Sequence, residues 1–167
     1  MSQALVGSGG FLCAVLWFDL MFDVQAVGLP GAILPEEVLA SIAAYYHRVT
    51  TAAHPMGNLV GLVMIFTVVG VALQLRDRTV PRSVRYGALI ASSLPVALAI
   101  LWIVPDAVRL GLRADSIEVQ SRLAHSILRG HIVCLASILA FCAIQIYAVN
   151  CTRRSDEAGG SAPLGPS

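Results

Sequence analysis

Lysine is missing altogether, and all eleven basic residues are arginine, which alongside abundant Ala, Val, Leu and Gly suggests a GC-rich genome. Charge of either sign is scarce, at 13% of residues against 57% hydrophobic, where a soluble domain carries roughly 25% charged residues. A soluble monomer is thereby excluded. So is a nucleic-acid surface, which needs a continuous basic stripe, whereas these arginines stand in separate clusters between apolar segments. The cysteines Cys13, Cys134, Cys142 and Cys151 form no C-x-x-C pair and no metal-knuckle spacing, and they read as small apolar packing residues. No Lys or Arg precedes the first apolar run, which argues against a secretory signal peptide and for a retained anchor.

What the chain does contain is long apolar runs. Four reach the length of about 20 residues that a bilayer core of about 30 Å demands: about Ala4–Val27, Pro55–Leu75, Tyr86–Val104 and Ser126–Val149. The predicted fold is an all-α integral membrane four-helix bundle. Residues 1–151 form the membrane domain, and 152–167 form a disordered Pro/Gly/Ser-rich tail. The segment from Gly28 to Pro35 breaks the chain with two Pro and two Gly. Pro35, Glu36 and Glu37 then open an amphipathic helix to about Thr51, too polar to span. It is expected to lie in the membrane interface with Tyr45 and Tyr46 at headgroup depth. In the third span, Pro95 frees a backbone carbonyl one turn earlier. A polar connection is expected from Pro105 to about Ala114, after which Asp115 caps the last helix with Glu118 in its first turn.

The most telling stretch is Leu16 to Gln25, where Asp19 and Asp23 interrupt the first span. Four residues apart, they share one helix face, and in hydrocarbon each needs a partner or a proton. With four spans, both termini and the Arg76, Arg78, Arg82, Arg85 loop share one side. The positive-inside rule makes that side cytoplasmic, in a plasma (inner) membrane. The pairing of helix ends then gathers Asp19, Asp23, His54, Asn58, His125, Arg129 and His131 at the opposite, outer end. Asp19, Asp23, His125 and Arg129 are the catalytic candidates. His54, His131 and Asn58 are the candidates for holding a small lipophilic ligand or redox cofactor.

Several chemistries are open to such a set. Arg48 or Arg129 could neutralise the aspartates in a structural ion pair that fixes helix register, leaving a structural or assembly subunit. His54 facing His125 or His131 could ligate a haem or a metal. Asp23 or a histidine could act as base on a lipophilic substrate with an arginine stabilising an oxyanion. Paired carboxylates and histidines also suit proton-coupled transport, for which an oligomer through the Gly57-x-x-x-Gly61 seam would supply room.

The four-span layout, Pro105-Asp106 after the third span and His125-x-x-x-Arg129 heading the fourth resemble the anthrone-oxygenase-like family of small membrane proteins. That resemblance implies cofactor-independent oxygenation of a polycyclic phenolic substrate, with His125 and Arg129 as its candidates. The chain departs from the family where a tryptophan would start the last helix, since Arg122 to Ser126 stand there.

Overall fold

The computed structural model describes residues 2–27, 33–77 and 80–160, with side chains as far as 151. Among these the chain is all-α, without strands. Helix α1 (Ser2–Asp23) runs into a 3-10 turn, Val24–Ala26. Then come α2 (Glu36–Thr51), α3 (His54–Gln74), α4 (Arg82–Leu98), a π-helical turn (Ala99–Ile103), α5 (Val104–Leu112) and α6 (Ile117–Gly160). Four stretches are long and apolar enough to cross a membrane: Ser2–Ala26, His54–Gln74, Arg82–Leu112 and Ile117–Cys151. Their outward faces carry large apolar side chains such as Trp17, Leu62, Ile65, Ile90 and Leu101, the surface that a bilayer would solvate.

Helices α1 and α6 make the principal packing of the bundle. Their backbones meet closely at Gly9, where an added Cβ would stand 2.5 Å from the Cys142 sulfur. One core cluster joins Leu5, Val71, Ala88, Ala91 and Phe141 at one end. A larger one joins Leu39, Ile42, Tyr46, Ile103, Leu110 and Ile127 at the other.

The third span is longer than the sequence suggests. In place of a polar connection from Pro105, the helix continues to Leu112. Pro105 is accommodated in the first turn of α5, where its missing N–H costs nothing, after the π turn has shifted the register. Pro95 behaves as expected: the carbonyl of Ala91, one turn earlier, accepts a hydrogen bond from Ser137 of α6 at 3.0 Å. Helix α6 starts at Ile117, so Ser116 precedes it, and Asp115 is drawn off instead into a two-bond contact with Arg109, at 2.7 and 2.8 Å. The Arg109 hydrogen bond holds the Asp115 carboxyl below its usual range. Helix α6 also runs on to Gly160, past the expected start of a disordered tail, since no Gly or Pro interrupts the chain between Val149 and Gly159. Residues 161–167 and the glycine- and proline-rich break at 28–32 lie outside the described residues.

Helix α2 turns its apolar side into the protein. Its apolar stripe, Leu39, Ile42, Ala43 and Tyr46, is buried against the bundle, chiefly on α5. Tyr46 is 3% exposed and points into the protein. The close seat depends on Gly111 of α5, where a Cβ would lie 3.0 Å from the His47 backbone nitrogen.

Candidate functional site

Helical periodicity sets Asp19 and Asp23 one above the other on α1, and α6 lays His131 against both. The Asp23 side chain is 1% exposed and that of Asp19 is 18% exposed. His131 Nδ1 stands 2.6 Å from Asp23 Oδ2, and a carboxylate oxygen accepts, so this nitrogen carries the proton of the bond. Its Nε2 faces Asp19 Oδ2 at 3.9 Å. One imidazole therefore stands between a sealed carboxyl group and a partly open one.

Two consecutive tyrosines of α2 complete the cluster. Tyr46 Oη donates to Asp23 Oδ1 and Tyr45 Oη to Asp19 Oδ1, each at 2.5 Å. Adjacent residues on a helix diverge by about 100°, which lets neighbours in sequence serve carboxyl groups one turn apart. Burial, followed by the Asp23 charge for Tyr46 and the hydrogen bond to Asp19 for Tyr45, pushes both phenols above their ordinary range. They remain protonated donors. Around them the Phe22 and Tyr45 rings stack with centroids 3.9 Å apart, and Tyr45 meets Tyr46 edge-on at 5.2 Å.

Of the residues singled out from sequence, Asp19, Asp23 and His131 are brought together and the others are not. Arg129 and Arg48 are exposed, and among the described residues neither forms an ion pair with the aspartates. Tyrosine hydroxyls and an imidazole take the place expected for a guanidinium. His125 is buried but turned elsewhere: its Nδ1 donates to the Ser121 carbonyl at 2.7 Å, and its Nε2 has no partner among the described residues. His54 and Asn58 stand exposed at the head of α3, which has no close backbone approach to α6, so the pairing of His54 with His125 or His131 is not assembled. Gly57 and Gly61 face open space, and among the described residues nothing packs on that seam. Asp106 accepts from Ser126 at 2.7 Å, and Ser126 accepts from the Trp102 indole at 2.6 Å, a link between the π turn and α6.

Sequence reasoning placed Tyr45 and Tyr46 on the apolar side of α2 but gave them no part in the site. The signal was the spacing of Leu39, Ile42 and Tyr46, which aligns the second phenol with core residues. Among the described residues, no group of three or more His, Cys, Asp or Glu is arranged to hold a metal ion. Compared with protein-family models, curated proteins and solved structures, the chain matches none.

Proposed function

We propose that this is a multi-pass protein of the plasma (inner) membrane, with cytoplasmic termini and a proton-exchanging site at its outer end for a small, flat lipophilic ligand bearing a hydroxyl group. The observation that carries this reading is His131 standing between buried Asp23 and partly open Asp19. Asp19 is the member within reach of the bilayer. Its neighbours Trp17, Phe18 and Phe22 are exposed apolar rings against which a phenol or quinol would lie. The ligand hydroxyl gives its proton to the Asp19 carboxylate. His131 and Asp23, held by Tyr46, form the relay behind it.

The test uses the chain reconstituted in vesicles and a short-chain quinol, with binding followed by quenching of Trp17 fluorescence. Binding is expected to weaken about tenfold or more, the loss of one charge-assisted hydrogen bond, in Asp19→Asn and to weaken in His131→Gln, which removes the group behind Asp19. A control pair in the tail, Asp156→Asn with Glu157→Gln, should bind as the parent does. Identical quenching curves in all four proteins would remove the site.

A further inference from the structure

Midway along the contact between α1 and α6, two thiols meet. Cys13 stands ten residues before Asp23 on α1, and Cys142 stands eleven residues after His131 on α6. The near-equal steps keep one antiparallel register, so the packing that sets His131 against Asp23 also sets Cys142 against Cys13. Gly9, one turn from Cys13, makes the contact close. A Cβ added there would stand 2.5 Å from the Cys142 sulfur, which is thus seated on bare backbone beside Cys13. From that seat the Cys142 thiol donates a hydrogen bond to the Cys13 sulfur. Cys134 is differently placed: it is buried and donates to the Pro95 carbonyl at 3.9 Å.

Depth decides which oxidant reaches the pair. Cys13 lies eleven residues from Ser2 and ten from Asp23, the two ends of α1, or about 15–16 Å of helix either way. That is the middle of a hydrocarbon core of about 30 Å. Both cysteines are partly exposed, so a molecule dissolved among the acyl chains can touch them. Glutathione disulfide is charged and stays out of that layer, whereas a quinone enters it. Exchange with a disulfide also runs through a thiolate, which hydrocarbon disfavours. Transfer to a quinone moves each proton with its electron and leaves no ion behind. We infer that Cys13 and Cys142 are a reversible intramembrane redox pair, oxidised to a disulfide by a lipid-soluble quinone. Two S–H bonds break and one S–S bond forms. The two protons and two electrons reduce the quinone to its quinol. The step uses none of Asp19, Asp23 and His131, so it stands apart from the ligand site proposed above.

The reduced full chain is placed in phosphatidylcholine vesicles with a fully substituted benzoquinone bearing a decyl chain, whose ring resists thiol addition. The intact mass should fall by two hydrogens, and about one quinol should appear per chain, as a two-electron couple requires. Peptide mapping of the parent without reductant should join Cys13 to Cys142, and dithiothreitol should restore the original mass. Cys13→Ser and Cys142→Ser should each abolish quinol formation, while Cys134→Ser should react as the parent does. Because the map is made on the parent, its result does not depend on how well a variant folds. An unchanged parent mass, a map joining any other cysteines, or undiminished quinol formation in Cys13→Ser would overturn the pair. Oxidation by glutathione disulfide at the same rate and concentration would overturn the quinone as acceptor.

Discussion

At the scale of single residues, the site rests on three short hydrogen bonds between α1, α2 and α6, and the phenols are the part that pH can address. Both tyrosines are held above their ordinary range, by burial first and by the carboxylates second. The sign follows from linkage. The unfolded chain loses these protons at about pH 10, whereas the folded chain keeps them, so the stability they contribute is complete below pH 10 and is withdrawn as pH rises beyond it. Thermal unfolding in detergent should therefore show a steep alkaline decline. Tyr45→Phe with Tyr46→Phe should lower stability at neutral pH by about 1.5–3 kcal/mol per bond lost to a charged group, less for the half-buried Tyr45, and should flatten the alkaline limb. An equally steep limb in the double variant would assign it to other groups. The aspartates were legible in the sequence because a charge inside a span is conspicuous and the four-residue spacing fixes its face. The choice of partner was not, since tyrosine, histidine and arginine all reach a carboxyl group and only the packing of α2 selects among them.

At the scale of elements, glycines separate what packs within the chain from what does not. The seat of α2 on α5 is set by Gly111, whose neighbour is backbone and cannot swing aside. Gly111→Ala should lift α2, cost about 1–3 kcal/mol as overpacking, and loosen the Tyr46–Asp23 bond with it. Gly57→Ala meets open space and gains helix propensity, so it should be neutral or stabilise by about 0.5–1 kcal/mol. Unfolding midpoints of the two variants compared side by side decide the matter, and equal shifts would sink it. Here the sequence was informative in an uneven way. The Gly57-x-x-x-Gly61 spacing is recognisable as a motif yet unused among the described residues, whereas Gly111 carries no motif and lies against the backbone of α2. Helix existence follows from apolar length, but the continuation past Pro105 does not, because proline in a first turn and proline after a helix end look alike in sequence until the π turn is seen.

At the scale of the whole molecule, the two polar ends differ in kind. One carries buried Asp23 and His131 with the partly open Asp19. The other holds the Gln74–Gln145 pair with Arg85 beside it, and Arg76 and Arg82 stand exposed near the same helix ends. Ser2 and Asp23 are 21 steps apart on α1, about 32 Å at 1.5 Å each, so one end lies near each face of a bilayer core. The proposed orientation puts the arginine-rich end on the cytoplasmic side, because translocation of compact basic loops is opposed. Single cysteines placed at Ser83, in the first turn of α4, and at Ser116, ahead of α6, report the orientation directly, with Cys151 replaced by Ser to clear the background. In intact cells a membrane-impermeant maleimide should label Ser116→Cys at once and Ser83→Cys only after permeabilisation. The reverse pattern would leave every contact of the aspartate cluster in place and move the proton-exchanging site to the cytoplasmic leaflet, where its ligand would arrive from the other half of the bilayer.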